Sequence, residues 1–375
     1  MRMTMQLSEL CIEITDQCIM NCIHCSTAAN LPGKPCHELS LKEIKSIIID
    51  FKGLGGSILE ISGGEPTLHP ELVNIVDFSK YLGVEVRLYT CGVSYQGSFG
   101  PLNEALLKNL HCLGLDKIIF NLQGPESNIH DRITGKPGSF MALKESIRLA
   151  KMMGFWVGAH FVPMKLNVES FPNVIKLAID LNIDEVAILR FVPQGRGKIN
   201  ETTLRLSKFE LWDFLRNVAL IRQELENKIH LRTGCPLDFL SFIDKTVTIC
   251  SCKAGKSTCS ITPLGETIPC PGFKHVAEFV AGNVKNQPLS LIWRESEVFN
   301  LLRRMDFHDI SGCSECARIE ICKGRCAAQR VRYYRNISMG PDPDCFGPCP
   351  LEDKLRVPLV CPPSKIDNIS ELSIG

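Results

Sequence analysis

The sequence predicts an α/β protein in which a parallel sheet curves into an open barrel, followed by a small cysteine-rich domain. Two observations carry this prediction. Six strand-like segments alternate with amphipathic helical segments over the first 228 residues, and cysteines then recur at short spacing up to residue 349. Because each crossover between parallel strands must cover one face of the sheet with a helix, this order favours a barrel built from βα units.

Apolar periodicity predicts the strands and helices of the barrel. Apolar runs of five to eight residues predict strands, and apolar residues at three- and four-residue spacing predict helices. The predicted strands are Leu10–Thr15, Ile58–Ser62, Val84–Thr90, Lys117–Leu122, Phe155–Val162 and Glu185–Phe191. The predicted helices are Ser40–Phe51, Pro70–Leu82, Pro101–Leu110, Phe140–Met153, Ser170–Leu181 and Ser207–Lys228. The alternation ends there, so we expect a barrel over 1–228, a cysteine-rich domain over 229–349 and a tail over 350–375.

A cysteine loop follows the first predicted strand. Cys18, Cys22 and Cys25 lie within eight residues, in the stretch DQCIMNCIHCST. Three thiolates leave one iron of a [4Fe–4S] cube without a protein ligand, and such an iron is a place for chemistry. The alternative is a zinc site, for which His24 is a candidate fourth ligand.

A glycine motif follows the second predicted strand. Gly63-Gly64-Glu65-Pro66 comes directly after the apolar strand GGSILEIS. The two glycines allow the backbone to approach a ligand closely, and the glutamate offers a carboxylate that accepts hydrogen bonds from an ammonium group. Taken by itself the motif is more typical of a tight turn than of a ligand site.

Together, the cysteine loop and the GGEP strand resemble the radical S-adenosylmethionine (SAM) superfamily. The resemblance implies a partial (β/α)6, TIM-like barrel in which Cys18, Cys22 and Cys25 hold the catalytic cluster. It also implies that Gly63, Gly64, Glu65 and Pro66 belong to the SAM site. In that superfamily the reduced cluster cleaves SAM to a 5′-deoxyadenosyl radical, which abstracts a hydrogen atom from the substrate.

Later strand ends also resemble superfamily patterns. Asn121-Leu122-Gln123-Gly124 stands where many members carry S-L-D-G, and Thr90-Cys91-Gly92 resembles their T-N-G turn. Arg190 lies on the sixth predicted strand, at the same rim. The resemblance therefore implies SAM contacts for Thr90, Asn121, Gln123 and Arg190, although each of them is also a plausible turn or capping residue. The two changes in the fourth strand keep hydrogen-bonding capacity and remove a charge.

The C-terminal cysteines resemble the SPASM extension of radical SAM enzymes. Twelve residues separate Cys252 from Gly265 and four more separate that glycine from Cys270, before a C-x2-C-x5-C-x3-C run that begins at Cys313. The resemblance implies two auxiliary [4Fe–4S] clusters. The first would have Cys252, Cys259, Cys270 and Cys326 as ligands, and the second Cys313, Cys316, Cys322 and Cys345. Cys235 or Cys250 is an alternative to Cys259, Cys349 is an alternative to Cys345, and a pair of structural zinc sites is the alternative to both clusters.

Composition narrows the functional class. The chain has 375 residues and a net charge of +1, so it gives no electrostatic reason to expect a nucleic-acid partner. No apolar run is long enough to span a bilayer, and the amino terminus does not have the pattern of a secretory signal. Nineteen cysteines without a secretory signal argue for metal binding in a reducing, cytoplasmic compartment rather than for disulfides.

The resemblance implies a peptide- or protein-modifying oxidoreductase. SPASM enzymes mostly crosslink, oxidise or epimerise side chains of ribosomal peptides. We therefore expect a peptide or protein substrate, a separate leader-recognition protein, and an electron donor such as flavodoxin or ferredoxin. Only ten residues precede Cys11, and we expect no leader-recognition domain within them.

Three other functions are considered. The first is side-chain processing of a tetrapyrrole, because Arg190 and Arg196 lie in an R-x-x-P-x-G-R-G segment and could hold carboxylates. The second is sulfatase maturation, which Pro271 disfavours because those enzymes carry an acidic residue at that place. The third is a non-catalytic electron carrier, which the complete pair of motifs disfavours. The catalytic base is not predicted.

Overall fold

A largely parallel sheet with helices packed on its outer face forms the centre of the molecule. The computed structural model describes residues 6–30, 35–225, 228–233, 235–244, 246–247 and 251–347. The strands are β1 (Glu9–Glu13), β2 (Ile58–Ser62), β3 (Glu85–Thr90), β4 (Ser94–Tyr95), β5 (Phe99–Gly100), β6 (Lys117–Asn121), β7 (Trp156–Phe161), β8 (Glu185–Ile188), β9 (His230–Thr233), β10 (Thr258–Ile261), β11 (Glu266–Ile268) and β12 (Gly282–Asn283).

The helices follow the predicted alternation. They are α1 (Leu41–Gly53), α2 (Leu72–Tyr81), α3 (Glu104–Cys112), α4 (Ser127–Thr134), α5 (Ser139–Met152), α6 (Phe171–Asp180), α7 (Arg196–Ile199), α8 (Glu201–Leu204), α9 (Lys208–Glu224), α10 (Leu289–Glu295), α11 (Glu297–Arg304), α12 (Ile319–Cys322) and α13 (Ala327–Tyr334). The six predicted strands and six predicted helices are all confirmed, with ends that shift by a few residues. Helix α4 and the β4–β5 hairpin were not predicted.

Local sequence signals explain where two of these helices begin. Ser40 precedes α1, and its hydroxyl accepts the N–H of Glu43 while the Glu43 carboxylate accepts the N–H of Ser40. Ser207 and Glu210 make the same reciprocal pair at the start of α9. This capping box satisfies backbone donors that have no partner within the first turn, so each helix has a defined first residue.

The sheet continues across the predicted domain boundary at residue 228. In the described part of the chain, ten strands follow the order β12-β11-β10-β1-β2-β3-β6-β7-β8-β9. Strands β1 to β9 in this order pair in parallel, β10 is parallel to β1, and β11 and β12 are antiparallel to their neighbours. The C-terminal region thus adds one strand beside β8 and three beside β1. The three domain limits of the sequence analysis remain predictions.

The strands present an apolar outer face and a polar inner face. In β1, Leu10 and Ile12 are fully buried in the main core, whereas Cys11 and Glu13 line a central cavity. Successive side chains of a strand point to opposite faces, so this alternation follows from the strand itself. Glu60 on β2 and Arg232 on β9 line the same cavity although four strands lie between theirs in the sheet, so the sheet curves around the cavity.

No helix in the described parts of the chain is long and apolar enough to cross a membrane. The longest helix of this part, α9, carries charged residues along its length and buries only one face, through residues such as Phe214 and Val218.

Candidate active site

The cysteine loop lies at the carboxyl end of β1, on the rim of a cavity of about 1030 Å³. Cys18, Cys22 and Cys25 all line this cavity. The loop is fixed from both sides of the barrel. The N–H of Ile23 donates to the carbonyl of Ile133 at 2.9 Å, and the guanidinium of Arg196 donates to the carbonyl of Cys22 at 2.8 Å. The structure therefore brings the three predicted cluster ligands to one place.

The environment of these thiols suits a metal cluster. Burial raises the pKa of Cys18 to about 12, and it raises the pKa of Cys22 well above its ordinary value, to which the charges of Cys25 and Cys18 add. Thiolates crowded together in a dry site need a metal to hold them deprotonated. The described residues contain no group of three His, Cys, Asp or Glu side chains arranged around a single metal ion. A cube spreads its thiolates over separate irons, so its ligands stand further apart than those of one ion.

The GGEP motif is locked against the start of the cysteine loop. The N–H groups of Gly64 and Glu65 donate to the carbonyls of Thr15 and Gln17, at 2.7 and 2.6 Å. A Cβ atom on Gly63 would collide with the Thr15 carbonyl, and one on Gly64 with the Gln17 carbonyl. These glycines are required because two backbone segments pass each other at this point. Both also line the cavity.

The Glu65 carboxylate plays a different part from the one expected from the sequence. It is fully buried, and the hydroxyls of Thr67 and Thr90 both donate to its Oε1 at 2.7 Å. The N–H of Cys91 donates to Oε2 at 2.7 Å. The carboxylate therefore joins the ends of β2 and β3 and does not face the cavity. The backbone carbonyls of Gly63 and Gly64 accept no hydrogen bond from the described residues. These carbonyls, and not the Glu65 carboxylate, are therefore the groups of this motif that are available to an ammonium group.

The remaining predicted SAM-site residues divide into two groups. Thr90, Asn121 and Arg190 line the cavity together with the two glycines. Pro66 is buried at the start of a short 3-10 helix, and Gln123 is fully buried behind the rim. The Gln123 side chain donates to Asn121 Oδ1 at 2.6 Å and accepts from the Val162 N–H at 3.2 Å. Gln123 thus acts on the cavity through Asn121 and not directly.

The two arginines of the R-x-x-P-x-G-R-G segment are already bound to protein groups. Arg190 pairs with the Asp342 carboxylate, and Arg196 donates to the backbone carbonyls of Cys22 and Ala29. Their expected role in holding a substrate carboxylate is therefore not what the structure shows. Both act as internal braces, because protein acceptors already take up hydrogen bonds from their guanidinium groups.

The lumen below the rim contains a cluster of three polar side chains, Glu60, Tyr89 and His160, that the sequence did not predict as site residues. Tyr89 donates from its hydroxyl to Glu60 at 2.7 Å, and its ring lies 5.1 Å from that of His160. Burial lowers the pKa of His160 to about 3, so the imidazole is neutral near pH 7, and it raises the pKa of Glu60. The signal was present in the alternation of LEIS, RLYT and GAHF, in which every second side chain faces inward.

A lysine from the C-terminal region reaches into the same cavity. The Lys274 ammonium forms a buried ion pair with Glu13 at the end of β1 and donates to the Thr27 hydroxyl at 2.9 Å. Thr27 lies two residues after Cys25, so this one side chain ties the C-terminal region to the cysteine loop. Nothing in the local sequence around Lys274 signals this contact.

The C-terminal cysteines form two groups. Burial raises the pKa of Cys270, and the charges of Cys326 and Cys252 raise it further, so these three thiols lie close together. Burial raises the pKa of Cys345 to about 11, and Cys322 and Cys316 add to this shift. Cys345 and Cys316 in turn add to the raised pKa of Cys313. The grouping agrees with the two predicted ligand sets, apart from one residue.

Cys259 is the exception. It lies in β10, opposite Leu10 of β1, and its side chain is fully buried in the main apolar core. The charged group that acts on it is Arg303, not another cysteine. The structure therefore contradicts the prediction that Cys259 is the fourth ligand of the first cluster. The Cys235 side chain, Cys250 and Cys349 lie outside the described residues.

Comparisons with known proteins agree with this arrangement. A family model described as the radical SAM superfamily matches residues 12–178, and a SPASM model, described as an iron–sulfur cluster-binding domain, matches residues 250–317. An AdoMet-dependent heme synthase of Methanosarcina barkeri is 25% identical over 329 residues, which cover 83% of this chain and 89% of that protein.

Two further similarities concern peptide-directed proteins. A PqqA peptide cyclase of Rhizobium meliloti is 28% identical over 352 residues, covering 92% of this chain and 88% of that protein. The crystal structure of Streptococcus suis SuiB bound to its precursor peptide SuiA superimposes with a TM-score of 0.74 at 18% identity, covering 91% of this chain and 76% of that one. The last similarity supports the fold.

Proposed function

Because the chain belongs to the radical SAM superfamily and carries a SPASM domain, we propose that it modifies a side chain of a peptide or protein substrate. It is a radical SAM enzyme that uses a [4Fe–4S] cluster and SAM. The observation that supports a peptide substrate is the similarity to a peptide cyclase along 92% of the chain. The reaction would be a crosslink, an oxidation or an epimerisation.

The residues of the rim have distinct tasks in this proposal. When bound, the reduced cluster supplies the electron that cleaves SAM to the 5′-deoxyadenosyl radical. Cys18, Cys22 and Cys25 would hold the cluster, and the Gly63–Gly64 backbone would orient the ligand beside it. Glu65 would act from behind by fixing the ends of β2 and β3. The sheet and its helices would keep bulk water away from the lumen.

The lumen would receive the reacting side chain of the substrate. Its inner face carries Glu60, Tyr89 and His160, and half-buried polar groups of this kind favour a substrate side chain that can form hydrogen bonds. A TIM barrel usually fills this space with bulky apolar residues, whereas this cavity stays open at about 1030 Å³.

The C-terminal region would hold two auxiliary clusters. Cys252, Cys270 and Cys326 would bind the first with Cys235 or Cys250, and Cys313, Cys316, Cys322 and Cys345 would bind the second. The packing of the cysteines supports these sets, because Cys252, Cys270 and Cys326 share one apolar cluster and Cys313 and Cys316 share another. The proposal includes a separate leader-recognition protein, a flavodoxin or ferredoxin as reductant, and a cytoplasmic location in which the free thiols stay reduced.

A tetrapyrrole substrate is the second candidate, which the similarity to a heme synthase raises. Its sequence support came from Arg190 and Arg196, and both are occupied by protein acceptors. A porphyrin titration separates the candidates. A Soret shift on mixing the purified protein with coproporphyrin would favour the tetrapyrrole, and no shift at saturation would count against it.

The first experiment measures SAM cleavage. The anaerobically reconstituted protein, reduced with dithionite, is expected to convert SAM to 5′-deoxyadenosine. Gly64→Ala is expected to lower the rate at least about tenfold, equivalent to about 1.4 kcal/mol in the barrier. Its Cβ cannot fit against the Gln17 carbonyl. Gly53→Ala is the matched control, since a Cβ there meets nothing within 4 Å. Equal loss in both variants would contradict the role given to the rim.

The second experiment identifies the substrate class. Short peptides encoded beside this gene are incubated with the reduced enzyme and SAM, and their masses are followed. A mass change, or deuterium exchange from solvent, that requires Cys18, Cys22 and Cys25 supports the peptide proposal. SAM cleavage without any peptide change, together with a Soret shift, would replace it by the tetrapyrrole candidate.

A further inference from the structure

An ion pair joins the wall of the reaction cavity to the region between the two cysteine groups. Arg190 lies two residues after β8 and lines the cavity, and its guanidinium donates to both Asp342 carboxylate oxygens at 2.6 and 2.7 Å. The side chains of Arg190 and Asp342 are only 4% and 1% exposed. Charges this well buried interact strongly with whatever else lies near them, because little water screens them.

Asp342 contacts one cysteine of each group. Its Oδ2 accepts the N–H of Cys326 at 3.2 Å, and its backbone carbonyl accepts the N–H of Cys345 at 2.8 Å. Its negative charge also contributes to the raised pKa of Cys313 and of Cys322. Asp342 therefore lies between the ligand set of the first auxiliary cluster and that of the second.

Arg190 has a donor that the polypeptide does not use. Its Nε is buried and has no hydrogen-bond partner among the described residues. The negative charge of the Cys326 thiolate acts on the same guanidinium. An orphaned N–H in a buried position costs free energy unless an acceptor is supplied. A cluster bound by Cys326 would supply sulfur acceptors on that side.

We propose that Arg190 and Asp342 are positioning residues that hold the two auxiliary clusters at fixed relative positions and set their reduction potentials. The inference rests on the proposed function, because it assumes that both cysteine groups bind clusters. Net charge and hydrogen bonds to sulfur are the levers by which a protein tunes such potentials. The Asp342 charge opposes the uptake of an electron by either cluster, and the Arg190 charge favours it, chiefly at the first cluster.

The test is a redox titration of the reconstituted full-length enzyme, followed by electron paramagnetic resonance. Asp342→Asn is expected to raise the potentials of both auxiliary clusters, and Arg190→Met to lower that of the first. We expect each shift to be about tenfold in the reduction equilibrium, or about 59 mV for one electron. The double variant is expected to return toward the wild-type values, because it removes one charge of each sign.

Asp244→Asn is the matched control, because Asp244 is also a buried partner of an arginine, Arg222, and among the described residues the other hydrogen bonds to its carboxylate come from Thr246 and not from a cysteine. It is expected to leave the potentials unchanged. Shifts of the same sign in both single variants, or a control that shifts as far, would overturn the inference. If Asp342→Asn loses iron, Arg190→Met is the deciding variant. An unchanged or raised potential of the first auxiliary cluster in Arg190→Met would then contradict the proposal. About four irons in the wild type would refute the two-cluster proposal itself.

Discussion

The barrel cysteines and the C-terminal cysteines are brought together in different ways. Cys18, Cys22 and Cys25 belong to one loop, which a ten-stranded sheet and its main core hold in place. The C-terminal cysteines come from separate segments joined by short elements, such as the four-residue helix α12. Cys252, Cys270 and Cys326 pack on one small apolar cluster, and Cys313 and Cys316 pack on another. The barrel can thus position its loop before a cluster binds, whereas we expect the C-terminal region to depend on bound clusters for its structure.

The largest expected effect is loss of structure in the C-terminal region. Alanine at Cys313, Cys316, Cys322 and Cys345 together is expected to make residues 305–344 sensitive to limited proteolysis, since this segment packs outside the main core and metal ligation contributes folding free energy there. Alanine at the three barrel cysteines is the control and is expected to leave the digestion pattern unchanged. Equal sensitivity in both variants would remove the distinction between the two regions.

The next largest effect is expected from the Lys274–Glu13 ion pair, which joins the two regions. Lys274→Met removes the partner of the buried Glu13 carboxylate, so we expect it to lower the free energy of unfolding of the anaerobic holoenzyme by about 3–5 kcal/mol. The double variant Glu13→Gln, Lys274→Met leaves no unpaired charge and is expected to recover most of this loss. Chemical unfolding measures both variants. A single-variant loss below about 1 kcal/mol would show that the pair does not join the regions.

A smaller effect sharpens the ligand set of the first auxiliary cluster. Cys259→Ala is expected to keep the wild-type iron content, because Cys259 packs in the core beside Leu10 and not with Cys270. Cys235→Ala and Cys250→Ala are made separately. The one that removes the true fourth ligand is expected to lose about four irons, and the other is expected to lose none. Iron analysis of the three variants checks this. Loss of iron from Cys259→Ala alone would restore the assignment made from spacing.

The two regions also differ in how far the sequence predicts them. The barrel strands and helices are long enough to show their period, and the capping boxes at Ser40 and Ser207 mark helix starts. Strands β9 to β12 have two to four residues, too few for a period to appear. The spacing of cysteines placed Cys259 in a cluster because spacing does not report that its strand buries it.

The pairs that span the chain leave no local signal at all. Lys274 meets Glu13, and Asp342 meets Arg190, across large separations in sequence. Such pairs depend on how the finished sheet brings distant segments together. The sequence predicted which side chains can ligate a cluster, and the structure adds which charges surround them.

The most direct test of the account is iron and acid-labile sulfide per chain after anaerobic reconstitution, for the wild type and for the variant with alanine at Cys18, Cys22 and Cys25. We predict about twelve irons in the wild type and about eight in the variant, as expected for one catalytic and two auxiliary cubes. About four irons in the wild type, with zinc retained in the C-terminal region, would contradict the account, because that region would then be only structural.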